Sequence, residues 1–306
     1  MGRYIVRRLA QGLLVVFLVT VVVFVTTRLV GDPVDVLLPF EATTEQRAEF
    51  EHQLGLDQSI PAQFWDYLVG VVHLDFGESL VLREDAMGIV LERLPATLLL
   101  VAAGMGLAFV VSMVLGVLAA LRPGGWFDRL AVVGSLAALS MPEFWVGMLL
   151  IYVFAVELDL LPSSGKGGIE HLVLPAVTMA FATIGRMVMI VRSSMLDELA
   201  QPYVQTARAK GLSGRRTVGI HAMRNVSVPV LTLFGWELIL ALAGYTAVVE
   251  TVFAWPGIGY LAYNAIVDQD LILLQAVVFL VAIFVVVINI LIDIVYRAID
   301  PRIQLA

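Results

Sequence analysis

The segment from residue 203 to residue 230, YVQTARAKGLSGRRTVGIHAMRNVSVPV, is basic and rich in small residues, whereas most of the chain is apolar. Arginine and lysine at this density can pair with carboxylates or phosphates of a partner, and small residues permit close backbone approach. The alternative is an interfacial helix whose cations rest on anionic lipid. Both interpretations place the segment at a membrane surface.

The motifs of several enzyme classes are absent from the sequence. SSGKGG lacks the leading glycine and the Ser or Thr of a phosphate-binding G-x-x-x-x-G-K-[ST] loop, so we do not expect the chain to hydrolyse ATP. His-Glu-x-x-His does not occur, the four histidines are scattered, and there is no cysteine. We therefore expect no catalytic residue and no metal site in this chain.

Composition and the lengths of the apolar runs predict an all-α polytopic membrane protein. Hydrophobic residues make up 60% of the chain and charged residues 15%, with a mean hydropathy of +0.92. A helix of about twenty apolar residues crosses a bilayer core of ~30 Å. Six such runs predict six transmembrane helices: Leu9–Val30, Pro95–Leu121, Phe127–Val156, Leu172–Val191, Val228–Phe253 and Leu271–Tyr296. The first run lacks a small-x-small cleavage site, so we expect an uncleaved span.

Charge distribution predicts the orientation. Thirteen of the 19 Lys and Arg residues lie in the N-terminus, the turn after the second span, the loop 192–227 and the C-terminal tail. With six spans these four pieces share one side of the membrane, and the positive-inside rule makes that side the cytoplasm. We therefore expect both termini in the cytoplasm.

Residues 31–94 are acidic, with thirteen Asp and Glu against three Arg. We predict a small extracytoplasmic helical cap, with one helix over TTEQRAEFEHQLGLD and a second opened by Pro61. Phe64, Trp65, Leu68 and Val72 share one face of the second helix. The cap either packs on the membrane core, docks an external partner, or does both. The predicted organisation is residues 1–30 with the N-terminal arginines and first span, residues 31–94, and a membrane core over 95–306.

Local signals in the loop 192–227 predict a helix–glycine–helix arrangement. Leu196, Leu199, Tyr203 and Ala207 are spaced to share one face of a helix. Gly211 can take the left-handed backbone conformation that ends a helix. Ser213 can cap a second helix, which leads towards the fifth span. The prediction is a small basic knuckle around residues 207–214.

This loop resembles the cytoplasmic EAA loop of binding-protein-dependent ABC importer permeases, in the form found in the dipeptide/oligopeptide/nickel branch. Against the general pattern Glu-Ala-Ala-x-x-x-Gly, the chain has Gln205, Thr206, Ala207 and Gly211. The likeness continues in order through LGLDQSIPAQFWDYLVGVVHLDFGESL, SMPEFWVGMLLIYVFAVELDLLPSSG, HLVLPAVTMAF, VRSSMLDEL, VVETVFAWPGIGYLAYNAIVDQD and the terminal DPRI. It is similar to the first of two paired permeases, the one with the long extracytoplasmic region.

The resemblance implies a type I ABC importer permease-like fold in the bacterial inner membrane. Such a subunit forms half of a translocation pathway that works by alternating access. A second homologous permease would complete a heterodimer, two ATP-binding subunits would hold ATP and Mg, and an extracytoplasmic solute-binding protein would deliver cargo. Peptides are the expected cargo, with nickel or another small solute as the alternative, and this chain itself is expected to bind no cofactor or nucleic acid.

Site residues follow from the same resemblance, which implies that the EAA loop enters a groove of the ATPase as a coupling helix. Arg208 and Lys210 are its expected polar contacts. The full expected coupling set is Gln205, Thr206, Ala207, Arg208, Ala209, Lys210, Gly211, Arg215 and Arg216. The rival interpretations are a secondary ion-coupled transporter, which would need paired midplane carboxylates, and a membrane scaffold with no transport role.

Two charges inside apolar runs are candidates for the translocation pathway. For Arg186, snorkelling or an inter-helix pair is favoured over a cargo contact. Glu237 is expected to meet an amino group of the cargo, to pair with Arg186, or to form a structural hydrogen bond. At the outer end of the fifth span, a rigid gate turn is expected from Glu250, Trp255, Pro256 and Gly257.

Overall fold

The computed structural model describes residues 2–30, 43, 45, 49, 52 and 57–299, apart from the side chains of 2–5, 28–30, 208, 215, 221 and 296–299. The described regular structure is helical, with one isolated bridge between Glu78 and Asp85. The first helix predicted for the acidic segment, over residues 43–57, falls mostly outside the described residues. The second is present and begins one residue before Pro61.

The helices follow the chain as α1 (Gly2–Val30), α2 (Ile60–His73), α3 (Ala86–Leu121), α4 (Trp126–Ser140), α5 (Glu143–Leu150), α6 (Ile169–Leu199), α7 (Pro202–Ala209), α8 (Gly214–Arg216), α9 (Met223–Leu240), α10 (Thr246–Val252), α11 (Ile258–Val267) and α12 (Leu271–Ile299). Three π-helical segments continue them: Ile151–Glu157 after α5, Thr217–Ala222 before α9 and Ala241–Tyr245 after α9. The fifth predicted span is therefore one helix that passes through a π-helical turn.

Among the described residues, five helical stretches are long and apolar enough to cross a membrane, and a bent pair makes a sixth when it counts as one span. The bent pair is the third predicted span, residues 127–156, where α4 and the helix from Glu143 to Glu157 meet at 104°. Met141 has an extended backbone and Pro142 precedes α5. Proline lacks an amide hydrogen and disfavours helical geometry in the residue before it, so the helix stops there.

The first of two compact units comprises residues 1–97 and 256–287. Its core joins α2, the start of α3, α11 and the first half of α12 through buried residues such as Val71, Val90, Leu261 and Ala276. The α3 helix begins at Ala86, well before the predicted start of the second span. It accommodates Pro95 within its first turns.

Helix α2 is amphipathic, but the four residues predicted to share one apolar face do not all lie on the same side. Phe64 packs edge-on against Phe24 of α1, with ring centroids 5.1 Å apart, and Tyr67 stacks on the same ring at 5.6 Å. Trp65 and Val72 remain 66% and 80% exposed. The prediction that Phe64 shares a face with Trp65 is therefore wrong, because adjacent helical residues point about 100° apart.

The second compact unit comprises residues 98–255 and 288–306. Helix α6 lies at its centre and packs against α4, α5, α9 and α10. Its core includes Met187, Val191 and Met195 from α6, packed against Val226 and Val230 of α9. On another side of α6, Gly185 permits a close approach of α4, since a Cβ there would lie 2.8 Å from the carbonyl oxygen of Ser135.

Candidate functional site

The basic loop, residues 200–222, connects α6 to α9. Helix α6 ends at Leu199 and α7 begins at Pro202, whose missing amide hydrogen costs nothing at the start of a helix. The prediction that Leu196 and Ala207 lie on one continuous helix is therefore wrong. Residues 200 and 201 interrupt the helix, so Leu196 and Ala207 belong to two different helices.

Helix α7 has one buried and one exposed side. Val204 is fully buried and Ala207 is 9% exposed. Gln205 and Thr206 lie on the exposed side, and Lys210, which directly follows the helix, is exposed as well. The predicted coupling set is thus divided between residues that seat the helix and residues available to a partner.

The turn after α7 uses the left-handed geometry predicted for Gly211. Its φ is +79°, and the amide of Leu212 donates to the carbonyl of Ala207 at 3.2 Å. Ser213 occupies the N-cap position of α8 without a capping bond from its side chain. Instead, its carbonyl accepts hydrogen bonds from the amide and the hydroxyl of Thr217, at 3.0 and 3.1 Å. The predicted helix–glycine–helix path is confirmed, with a different capping arrangement.

Three side chains, here called the polar clamp, tie the basic loop to the helices on either side. Asn225 of α9 donates to the carboxylate of Glu198 in α6 at 3.0 Å and to the hydroxyl of Tyr203 in α7 at 3.3 Å. Tyr203 donates to the same carboxylate oxygen of Glu198. Burial and this hydrogen bond raise the pKa of Tyr203. A movement of α7 is therefore coupled to α6 and α9.

The cationic residues of the loop are only partly described. Ala209, Lys210 and Arg216 are exposed. The side chains of Arg208 and Arg215, two of the expected coupling residues, lie outside the described residues. Lys210 and Arg216 nevertheless make the exposed surface of the basic loop, which includes Gln205, positively charged.

An ion pair also holds the C-terminal part of α6. Arg192 donates to both carboxylate oxygens of Asp128, through Nε and, at 2.9 Å, through Nη2. Asp128 also accepts the backbone amide of Gly124 at 2.8 Å, and its side chain is 4% exposed. This contact fixes the turn between α3 and α4 against α6. Sequence reasoning missed it, although an aspartate in the first turn of a helix after Gly-Gly is a recognisable capping signal.

Inside the membrane-spanning helices, Arg186 of α6 and Glu237 of α9 form a two-bond ion pair. The Nε–Oε1 distance is 2.5 Å and the Nη2–Oε2 distance is 2.7 Å. Thr183 donates to Oε2 at 3.2 Å, so both carboxylate oxygens are occupied. Glu237 is 1% exposed and Arg186 31% exposed. The pairing alternative is the one found here, and a role for either residue in the translocation pathway stays a prediction.

The part of the predicted outer turn that belongs to the second unit, up to Trp255, is held by hydrogen bonds and burial. Glu250 and Trp255 are buried, and the amide of Trp255 donates to the carbonyl of Glu250 at 2.8 Å. The carbonyl of Phe253 accepts the amide of Gly165 at 2.8 Å, and Ala254 takes a left-handed φ of +46°. These contacts define a tight corner, while a gating role for it stays a prediction.

In the first unit, the continuation of this corner begins α11. Gly257, which follows Pro256, is its N-cap residue. The amide of Ile258 donates to the hydroxyl of Thr97 in α3 at 2.7 Å. Among the described residues, no group of three or more His, Asp or Glu side chains is placed to hold a metal ion.

The family models match nearly the whole chain. Residues 112–305 match the model described as binding-protein-dependent transport system inner membrane component. Residues 1–101 match the model of the N-terminal part of such membrane components. The chain belongs to this family of transport permeases. It is a multi-pass inner-membrane protein that works with ATPase and binding-protein components.

Curated relatives support the same assignment. The permease is 38% identical to the di/tripeptide transport system permease protein DppB of Pseudomonas aeruginosa, over 98% of each chain. It is 36% identical to the glutathione transport system permease protein GsiC of Escherichia coli K12, over 99% of each chain. The full-length match makes this chain a permease of the peptide-transporter type of ABC importers.

Solved structures of a transporter support the fold. An inward-facing crystal structure of the MetNI methionine ABC transporter superposes with a TM-score of 0.60 at 19% identity. The superposition covers 70% of this permease and 97% of that chain. At this identity the likeness establishes an ABC importer permease fold.

Proposed function

We propose that this permease carries peptides and forms half of the translocation pathway of an ATP-driven importer that works by alternating access. A second homologous permease completes a heterodimer, and two ATP-binding subunits hold ATP and Mg. An extracytoplasmic solute-binding protein delivers the cargo, and the permease itself is non-catalytic. The names of the two relatives, a di/tripeptide permease and a glutathione permease, support peptides as the cargo.

In this proposal α7 binds an ATP-binding subunit and couples it to the permease. The exposed side of α7 is the observation that supports this role. Val204 and Ala207 hold the helix against the permease, while Gln205, Thr206 and Lys210 remain available. Because the polar clamp bonds α7 to α6 and α9, a partner that displaces α7 would also displace those two helices. The basic loop and both termini lie in the cytoplasm in this proposal, as the distribution of Lys and Arg supports.

The experiment is affinity purification of the tagged permease from native membranes in mild detergent, followed by identification of the bound subunits. Thr206→Asp and Lys210→Glu change the exposed side of α7 without entering its buried side. Arg122→Glu is the matched control, because it reverses an exposed cation in the turn between α3 and α4. Ala207→Asp is a poor probe, since an aspartate at a position 9% exposed would unseat the helix.

The expected result is that a sister permease co-purifies with every variant, whereas the ATPases are lost from Thr206→Asp and Lys210→Glu only. Uptake of labelled dipeptide into cells should fall in the same two variants. If the ATPases stay bound and uptake continues in both, the exposed side of α7 is not the coupling surface. Dipeptide uptake by the permease in vesicles without any ATPase would instead support an ion-coupled transporter.

A further inference from the structure

A cavity of about 210 Å³ lies within the first compact unit, beside helix α11. One face of α11 forms a wall, contributing Leu261, Asn264 and Asp268 at helical spacing. Arg93 of α3 and the loop residues Val81 and Leu82 are also part of the lining. The cavity is thus a largely apolar hollow, and apolar walls with a few polar groups are the usual composition of a small-molecule site. Five polar side chains belong to its lining: Arg93, Tyr260, Asn264, Asp268 and Asp270.

Tyr260 and Asp270 each have a partner, whereas the other three polar side chains of the lining have none among the described residues. Arg93, Asn264 and Asp268 form no side-chain hydrogen bond or ion pair there, either with one another or with other described groups. Asp268 is exposed, and Arg93 and Asn264 are half-buried, so all three side chains are accessible to a ligand. The wall therefore presents the donors of a guanidinium and the acceptors of a carboxylate to one cavity.

The wall formed by the loop is held in place by another carboxylate. Asp270 is 1% exposed and accepts the hydroxyl of Ser79 at 2.5 Å, the amide of Val81 at 3.3 Å and the amide of Leu273 at 3.1 Å. This buried network ties the loop to the start of α12. The cavity is therefore preformed, and its open charges are not a consequence of a loose loop.

We propose that this cavity binds a small zwitterion, a free α-amino acid or a one- to two-residue peptide. Its carboxylate pairs with Arg93 and its ammonium group pairs with Asp268. In a dipeptide, Asn264 also bonds the peptide group between them. The volume suits one or two small residues and excludes a longer peptide. This is a second binding site beyond the proposed translocation pathway, and it does not depend on coupling to ATPases.

The charge pair selects this ligand class over simpler ions. A lone anion would satisfy Arg93 but would lie in the same hollow as the carboxylate of Asp268, and a lone cation would meet the guanidinium. A zwitterion offers an opposite charge to each of these two groups and brings no net charge into the cavity. The other carboxylate of the lining, Asp270, already has three hydrogen-bond donors. The zwitterionic headgroup phosphoethanolamine shares this chemistry and is distinguished by experiment.

The test uses the full-length permease in phosphatidylglycerol nanodiscs and measures binding of alanine and alanyl-alanine by calorimetry and ligand-observed NMR. Arg93→Gln and Asp268→Asn should each weaken binding by about tenfold or more, because each removes a charge-assisted hydrogen bond. N-acetylated alanyl-alanine should bind weakly and be indifferent to Asp268→Asn. The C-terminal amide should likewise be indifferent to Arg93→Gln. Glu92→Gln is the matched control, since Glu92 is exposed and not part of the lining.

Saturable binding that is lost in this paired pattern supports the site, even if one variant folds poorly, because the capped ligands test the same contacts in the unaltered chain. Absence of saturable binding by both probes overturns it. So does binding that neither capping nor the substitutions affect, since that places the ligand elsewhere. Preferential binding of phosphoethanolamine would assign the cavity to a lipid headgroup and also overturn the proposal.

Discussion

The ion pair between Arg186 and Glu237 should respond asymmetrically to the loss of either partner. Glu237 is 1% exposed, so Arg186→Met leaves a buried carboxylate with only the hydroxyl of Thr183. Removing one partner of a buried pair costs about 3–5 kcal/mol. Arg186 is 31% exposed, so after Glu237→Leu its guanidinium keeps part of its solvation. We expect about 1–3 kcal/mol for that variant, the range for lost charge-assisted hydrogen bonds.

The double variant Arg186→Met/Glu237→Leu is the decisive measurement. Replacing a buried ion pair by apolar residues of similar volume is often neutral, so we expect a free energy of unfolding within about 1 kcal/mol of the parent chain. The assay is SDS titration of the purified permease in mixed micelles, followed by circular dichroism. The two single substitutions and the double form a thermodynamic cycle, and the expected coupling is favourable and exceeds about 2 kcal/mol.

Two results would refute this reasoning. Equal costs for the two single variants would mean that the exposure of Arg186 does not matter for its solvation. A double variant as unstable as the sum of the singles would mean that the two side chains act independently and that the observed pair is incidental. Peptide uptake in the stable double variant adds a separate answer, because retained uptake would exclude Glu237 as an obligatory cargo contact.

Three further predictions concern packing and hydrogen bonding. Gly185→Ala should lower the free energy of unfolding by about 1–3 kcal/mol in the SDS titration, because the new Cβ would lie 2.8 Å from a backbone carbonyl oxygen of α4. Gly106→Ala is the control and should have no such effect, since nothing lies within 4 Å of its Cβ position. Ser79→Ala should cost about 1–3 kcal/mol and speed hydrogen exchange in residues 79–85, since Asp270 loses a buried donor. Asn225→Ala should speed exchange in α7 while α9 stays protected; unchanged exchange in α7 would contradict the polar clamp.

Features set by local chemistry were predictable from the sequence. The apolar runs identify the spans because the thickness of a bilayer dictates the length of a crossing helix. Gly211 was predicted to take the left-handed conformation because residues with a Cβ are strained there, and its φ is +79°. The pairing of Arg186 with Glu237 is one of the alternatives that the sequence predicts for Glu237, since two opposite charges in apolar helices reduce each other's desolvation cost.

Contacts between residues far apart in the chain were not predictable in this way. Asp128 and Arg192 are separated by 64 positions, and Glu198 and Asn225 by 27. Each of these residues has an ordinary type for a membrane-boundary segment. Their pairing depends on how α4, α6 and α9 pack, which no local pattern encodes.

Proline shows why the bend in the third span escaped prediction. Pro142 separates two helices that meet at 104°, whereas Pro95, Pro175 and Pro229 all lie inside continuous helices. A proline removes one helical hydrogen bond at every such position, and neighbouring helices or side chains can satisfy the freed carbonyl. The outcome is therefore decided by the surrounding packing, although the residue type is the same.

Burial divides the coupling residues in a way that a family pattern alone does not. The match to the EAA loop treats Thr206, Ala207 and Gly211 as equivalent pattern positions. In the structure Ala207 seats α7, Gly211 supplies the backbone geometry of the turn, and only Thr206 presents a side chain outwards. Substitutions of Ala207 or Gly211 should therefore release the ATPases because the loop is misplaced, and hydrogen exchange in α7 should become faster. Loss through Thr206→Asp should occur with exchange unchanged, which separates a contact from a support.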